Sequence, residues 1–390
     1  MTTPAVETEL GGILVPRRGE HAMVRGEGCW MWDDAGRRYL DLTSAYGTTP
    51  LGHCHPALVA ALTEQAGRLQ ALSSNFFNDR RAELFAALDR HLPAPFCHYF
   101  LCNSGAEAIE ACLKLACLAS GRSRFVALKQ GFHGRTLGAL AVTWNPRFRK
   151  PFAALLQDVD FVAPGEPEEL EAAIGDDTAA FIAEVVQGES GVLPVGDAYL
   201  RRAEELCRER GALFVVDEIQ TGFGRTGAWF AHPGLGLEPD LMAMAKGIAG
   251  GLPMGAVAMT DRVKAVLRPG LHGSTFSGFP LACAASLATL EVLAAEDLPA
   301  RAERMGEHLR EELEARLAEI AVVREVRGRG LMIGIDLRTK VAPFLGRLME
   351  EHGVVALPAG PTVLRLLPAL VVTDEQIDLA VDAIAAVLGG

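Results

Sequence analysis

The chain has 390 residues, a length at which a single hydrophobic core usually gives way to two domains sharing an interface. Hydrophobic residues make up 49% and charged residues 22%, the balance of an ordinary globular protein. The net charge of −12, with no basic stripe, speaks against nucleic acid as a partner.

Eight cysteines are scattered without a C-x-x-C pair, and several lie in apolar runs. Buried, reduced thiols in the cytosol are expected, not disulfides or a zinc site. The opening MTTPAVETEL shows no basic region ahead of an apolar core, so no secretory signal and a cytoplasmic location are expected. The most lipid-like stretch, Leu241 to Met259, is interrupted by Lys246, Pro253 and several glycines, which fits a buried core better than a membrane span.

In chain order, residues 1–45 read as an N-terminal segment that joins a smaller domain. GEGCWMWDDAGRRYLDL alternates apolar and polar residues around a DDAGR turn, the pattern of a β-hairpin. AYGTTPLGHCHP is a loop of turn formers. Its His53, Cys54 and His55 have no further ligand cluster, so a loop leading into a helix from Pro56 is preferred to a metal site. Helices are expected over Pro56–Leu69 and Asp79–His91, flanking SSNFFND. HYFLCNSGAEAIEACLKLACLASG then reads as strand, tight turn and helix. Ser104 or Asn103 can cap that helix, with Glu107 as a capping-box glutamate. Such a turn, opening a helix after a strand, also suits a phosphate, because free amides and the helix dipole converge there and Gly105 permits close approach.

RFVALKQGFHGRT is a strand followed by a loop carrying Phe132, His133 and Arg135. An aromatic just past a strand end usually joins the core, but it also offers a face to a flat ring. AAFIAEVVQGESG is a strand ending in Gln187-Gly188-Glu189, and Asp197 to Arg210 is an amphipathic helix. Two short apolar runs follow. Leu213–Val216 ends in Asp217-Glu218, and Leu241–Ala245 ends in Lys246. Buried parallel strands deliver functional groups at their C-terminal ends in this way. GAVAM is a further strand, and a polar loop with Ser274-Thr275 leads to a long apolar helix from about Pro280. The alternation of strands and helices over roughly 98–260 predicts a doubly wound, mostly parallel α/β sheet. The expected division is residues 1–45 with the small domain, a large domain over 46–278 and a small α+β domain over 279–390.

GFGRTG at 222–227 matches the dinucleotide pattern G-x-G-x-x-G, which makes an NAD(P)-dependent oxidoreductase the rival reading. It lies mid-chain, behind Asp217-Glu218, with no acid at a convincing strand end about 20 residues on, and so carries little weight. An isolated Lys246 would most simply snorkel at a sheet edge. With Asp217 and a phosphate turn it points to pyridoxal phosphate. An amine must bond the aldehyde and later carry a proton, and a carboxylate must keep the pyridine nitrogen protonated so that the ring draws electrons from the substrate carbon.

VVDEIQTGFGRTG, DLMAMAKGIAGGLPMGA, NSGAEA, GFHGRT, VQGESG and HGSTFSGFPLACAA together resemble the class III aminotransferases of the ornithine/acetylornithine type, from about Arg25 to the C-terminus. The resemblance implies the aspartate-aminotransferase-like fold-type I architecture, pyridoxal 5′-phosphate (PLP) as cofactor and a homodimer with active sites at the subunit interface. By that resemblance Lys246 is the Schiff-base lysine, Asp217 pairs with the pyridine nitrogen, Gln220 reaches the phenolic oxygen and Phe132 stacks on the ring. Ser104, Gly105 and Ala106 hold the phosphate, completed by Thr275 of the other subunit. Arg135 matches the carboxylate-binding arginine of the acetylornithine branch, and Arg365 the arginine for the α-carboxylate of 2-oxoglutarate; paired carboxylate oxygens explain the choice of arginine. Glu189 matches the glutamate that pairs with Arg365 while the ω-amino donor is bound, and Ser274 is grouped with the substrate-binding residues.

Ile109 stands where the branch commonly has asparagine and Val185 where it has proline, departures expected to shift the helix entrance and the strand end without touching the chemistry. SSNFFND is similar to the acetylornithine enzymes, which implies N2-acetylornithine as donor, 2-oxoglutarate as acceptor and arginine biosynthesis. EHGVVALPAGPTVLRLLPAL and VTWNPRFRKPF look equally like the branch that handles a lysine precursor attached to the acidic carrier protein LysW. Ornithine and 4-aminobutyrate are the other donors that the resemblance admits. A basic rim would suit the acidic carrier, and the net charge of −12 tilts against it.

Overall fold

The computed structural model describes residues 3–12 and 19–390. A seven-stranded sheet lies at its centre: β1 (His98–Cys102), β2 (Arg124–Leu128), β3 (Val159–Val162), β4 (Thr178–Glu184), β5 (Leu213–Asp217), β6 (Leu241–Met244) and β7 (Gly255–Met259). The spatial order is β1-β7-β6-β5-β4-β2-β3. The strands run parallel except β7, which is antiparallel to both of its neighbours. This is the mostly parallel sheet expected from the alternating pattern.

Alternation along the strands divides the core into two faces. Leu213 and Val215 of β5, with Ala180, Ile182, Leu241 and Ala243, pack under the helix Gly105–Ser120. Phe214 and Val216, with Phe181, Met242 and Met244, join a larger cluster that includes the helices Asp197–Arg210 and Pro280–Ala295. Asp217 continues the parity of Leu213 and Val215. The alternation that builds the core therefore aims its carboxylate at the N-terminal side of the Gly105–Ser120 helix.

The N-terminal hairpin is present, with Trp30–Asp33 antiparallel to Arg38–Asp41. Its second strand also pairs in parallel with Val354–Val355, which ties the start of the chain to its last third. A second antiparallel sheet is built from Val323–Arg329, Met332–Leu337, Val363–Leu366 and Leu357–Ala359. Arg365 sits on an inner strand of that sheet, opposite Gly334 and Leu357.

Several local expectations are sharpened. The helices Asp79–His91 and Asp197–Arg210 have the predicted bounds. The helix from Pro56 stops at Ala66, short of Leu69, because Gly67 follows and the Gln65 side chain donates to the Leu69 carbonyl, drawing that segment into a turn. His53 pairs with the buried Asp41 (Nε2–Oδ2 2.9 Å) and serves the loop. All eight cysteines are free, as expected, but Cys54 and Cys97 are exposed and not buried. Among the described residues no helix is long and apolar enough to cross a membrane.

Candidate active site

The C-terminal ends of β4, β5 and β6, the loop after β2 and the start of the Gly105–Ser120 helix enclose a cavity of about 380 Å³. That volume lies within the range of small-molecule sites, roughly 300–1,000 Å³. Asp217 is 3% exposed; its Oδ1 accepts from the Ile219 amide (2.9 Å) and its Oδ2 lies 2.7 Å from Nδ1 of the fully enclosed His133. Burial draws the His133 pKa down, but the hydrogen bond and charge of Asp217, helped by Glu184, carry it above its ordinary value. His133 thus locks the orientation of Asp217 while sharing its charge. Among the described residues the imidazole Nε2 is buried without a partner.

Lys246 follows β6 at φ +46°, a left-handed conformation that costs a residue with a Cβ roughly 1 kcal/mol or more. Its side chain lines the cavity and makes no hydrogen bond or ion pair among the described residues. Burial lowers the pKa of its amine; the Glu189 carboxylate opposes that shift and the Arg365 cation reinforces it. An unpartnered amine with a depressed pKa is the state a nucleophile and proton carrier requires.

Ser104 caps the Gly105–Ser120 helix, its Oγ accepting from the Glu107 amide at 3.2 Å. The expected capping box is shifted by one residue: Glu107 takes the amide (2.7 Å) and the side chain (2.8 Å) of Asn103, not the amide of Ser104. Three successive amides, Ser104, Gly105 and Ala106, therefore donate to nothing among the described residues. Convergent free amides at the start of a 16-residue helix form an anion cradle. A side chain at position 105 would collide with Ile219, its Cβ falling 2.8 Å from Cδ1.

Phe132 lines the cavity and meets Phe148 edge-on, ring centroids 6.0 Å apart. Its amide donates to Glu184 Oε1 (2.9 Å), and the amide of Gly188 donates to Glu184 Oε2 (3.2 Å). Glu184 is in register with Asp217 across the β4–β5 pair. Burial pushes its carboxyl up to about 7; the His133 charge acts downward and the Asp217 charge upward.

Arg365 is fully buried against the far side of Gln220 and Glu189, both of which line the cavity. Its Nη1 donates to Glu189 Oε1 (2.6 Å), the Gly188 carbonyl (3.0 Å) and Gln220 Oε1 (3.2 Å). Burial raises the Glu189 pKa, but the charge of Arg365 outweighs it and holds the carboxyl below its ordinary value. Nε and Nη2 of Arg365 are buried without partners among the described residues, so half of the guanidinium fork is unspent.

The structure thus gathers Ser104, Gly105, Ala106, Phe132, Glu189, Asp217, Gln220 and Lys246 around one cavity, with Arg365 directly behind. Besides Arg365, three predicted residues lie apart from its lining. Arg135 is exposed, its guanidinium 4.8 Å above the Phe148 ring and 6.0 Å from the Phe132 centroid. Ser274 Oγ accepts from Asn103 Nδ2 at 2.8 Å, and Thr275 faces outward. His133 and Glu184 were assigned no role from sequence. The available signals were an imidazole beside the candidate stacking ring and an acid ending an apolar strand.

These groups fit a phosphorylated pyridine aldehyde. The free amides suit a phosphate, Asp217 a protonated ring nitrogen, Phe132 a ring face and the unpartnered Lys246 amine an aldehyde.

A family model described as aminotransferase class-III matches residues 15–388. The [LysW]-aminoadipate semialdehyde transaminase of Deinococcus radiodurans is 46% identical over 368 residues, 94% of this chain and 85% of that protein. The acetylornithine aminotransferase of Archaeoglobus fulgidus is 43% identical over 378 residues, 97% of this chain and 98% of that protein. Among solved structures, an ornithine aminotransferase from Toxoplasma gondii, with partial occupancy of PLP at its active site, matches with a TM-score of 0.92 at 32% identity, covering 99% of this chain and 93% of that one.

Proposed function

The chain belongs to the class III aminotransferases, PLP-dependent transaminases of fold type I, and on that premise we propose that it moves the terminal amino group of an N2-acylated diamino acid, N2-acetylornithine first among them, to 2-oxoglutarate. The observation that carries this reading is the Arg365–Glu189 pair at 2.6 Å, set beside the unpartnered Lys246 with half of the guanidinium free.

Lys246 would hold the aldehyde carbon of PLP, the Ser104–Ala106 amides its phosphate, Asp217 its ring nitrogen, Gln220 its phenolic oxygen and Phe132 a ring face. Bound PLP supplies an electrophilic carbon for amines and a protonated ring that takes up the electron pair left when a proton leaves the substrate carbon. The Lys246 Nζ would be the base that takes this proton from the substrate carbon and gives it up again. Its lowered pKa leaves a larger unprotonated fraction for the task. Asp217, oriented by His133, keeps the ring nitrogen charged.

Donor and acceptor differ at the other end of the pocket. While a donor presents its terminal amine, Glu189 neutralises Arg365 and the pocket is apolar enough for a methylene chain. When 2-oxoglutarate enters, its α-carboxylate competes for Arg365, whose free Nε and Nη2 offer a second donor edge. Arg135, poised over Phe148, takes the donor's own carboxylate. Thr275, turned outward in its own chain, acts in the site of a second subunit, which makes the working unit a homodimer.

A second reading, the carrier-linked lysine precursor, is favoured by one observation. The exposed Arg135 stacks on Phe148 (4.8 Å), which stands in the chain between Arg147 and Arg149-Lys150, so cations gather around one ring beyond the loop that carries Phe132 despite the net charge of −12. An acidic carrier would be attracted to such a cluster. The discriminating measurement is kcat/KM for acetylornithine, ornithine, 4-aminobutyrate and the LysW-linked amine, each with 2-oxoglutarate. The first reading expects acetylornithine to lead; a lead of about tenfold or more for the carrier-linked amine, near 1.4 kcal/mol, would replace it with the second. A Lys246→Ala protein with full turnover would sink both.

A further inference from the structure

Glu184 and Asp217 end neighbouring strands in register, yet their carboxylates are used differently. Asp217 faces His133 and the Ile219 amide. Glu184 spends one oxygen on the Phe132 amide and the other on the Gly188 amide, and among the described residues it has no lysine or arginine partner. Those two amides belong to two separate segments that help wall the cavity, one through Phe132 and the other through Glu189. Phe132 provides the aromatic face. Gly188 gives its carbonyl to Arg365 and precedes Glu189.

Gly188 packs closely against that cluster, since a Cβ there would fall 1.9 Å from Gln220 Oε1. Two further bonds stitch the same segments: Gln187 Nε2 donates to the Lys129 carbonyl (2.9 Å), and Ser190 Oγ donates to the Gln130 carbonyl. Of the three links, only Glu184 is ionisable and lines the cavity. A carboxylate accepts from an amide more strongly than a neutral carboxyl, so its charge sets how tightly the seam is drawn.

We propose that Glu184 is a positioning residue that couples the two walls, so that the placement of the Phe132 face and the state of the Arg365–Glu189 pair are set together through its two oxygens. The inference rests on the reading that Phe132 faces the cofactor ring and Arg365 the acceptor carboxylate. Burial and the neighbouring Asp217 hold Glu184 near the pH at which it changes charge, which adds a route by which the seam is loosened or drawn.

The test compares wild type with Glu184→Gln, which keeps the shape but can accept at one oxygen only, and with Glu184→Asp, which keeps the charge but is too short for both amides. Apoenzyme affinity for PLP is measured by equilibrium dialysis, and KM for 2-oxoglutarate on the loaded enzyme. Each variant is expected to weaken PLP binding about tenfold and to raise that KM several-fold, the scale of one lost charged hydrogen bond. Gln187→Ala is expected to leave both within about twofold. A variant that moves only one of the two constants, or neither, overturns the coupling. A loss of fold alone would lower the active fraction and leave both constants unchanged, which also counts against it. If one variant does not fold, the other decides. Wild type that neither binds PLP nor turns over 2-oxoglutarate would overturn the functional reading itself, an outcome distinct from unaltered variants beside an active wild type.

Discussion

Two carboxylates side by side at strand ends, one at Asp217 and one at Glu184, show how much a residue's role depends on its neighbours. Glu184 has its pKa raised from 4.5 to about 7, first by burial. The native chain then holds a proton that the unfolded chain has already released. Linkage gives the sign: apoenzyme stability contributed by this group is present below pH 4.5 and is lost as pH rises towards about 7. Urea unfolding of the apoenzyme at pH 5 and pH 7.5 should show a smaller loss in Glu184→Gln than in wild type; equal losses would remove Glu184 as the titrating group. Arg365→Lys keeps the charge and loses the fork. It should raise KM for 2-oxoglutarate about tenfold or more and leave KM for the donor nearly unchanged, as read from steady-state kinetics. Asp217 and Lys246 were legible in the sequence because each interrupts an apolar strand with a charge. His133 and Glu184 were not, because an imidazole or an acid in a loop or strand end acquires its meaning only from a partner some 50 to 80 residues away, as the His133–Asp217 and Glu184–Phe132 bonds show.

At the scale of elements, the site is made by what happens one residue past each strand or before each helix. Parity along β5 aims Asp217, and a left-handed turn after β6 aims Lys246. With Glu107 shifted by one residue onto Asn103, three amides at a helix start are free among the described residues. Ser104→Ala removes the cap and should cost the apoenzyme about 1 kcal/mol, measured by urea unfolding, together with weaker PLP binding. Gly188→Ala tests the seam differently. Its Cβ would meet Gln220 Oε1 at 1.9 Å, so Gln220 must move away from Arg365. A loss of about tenfold or more in kcat/KM for 2-oxoglutarate is expected; an unchanged value would show that Gln220 has room to yield. The helices Asp79–His91, capped by Asn78, and Asp197–Arg210, closed by Gly211, were legible to the residue. The overrun past Ala66 was not, because a side-chain bond from Gln65 ended that helix.

At the scale of the whole molecule, the cavity is assembled from distant stretches of one chain, and the proposed dimer would add to it. Thr275 is exposed and does not line the cavity of its own chain. A Thr275→Asp change that weakens PLP binding about tenfold would therefore act through a neighbouring subunit, with like charge set against the phosphate. Sedimentation should give twice the 41.6 kDa of the chain. A monomer that binds PLP as tightly as the concentrated protein would end the shared-site proposal.

By itself the sequence determined the mostly parallel sheet, the placing of charged residues at its strand ends, and the family. These follow from local periodicity and from motifs whose residues are close in the chain. The tertiary structure alone decided that Arg365, from the second sheet, is buried against Glu189 and Gln220 with its Nε and Nη2 unpartnered among the described residues, that Glu184 bridges Phe132 and Gly188, and that Arg135 stacks on Phe148. Each depends on charges that long-range folding brings within hydrogen-bonding or stacking distance, and the cost of burying a charge without a partner makes those pairings specific to the folded chain.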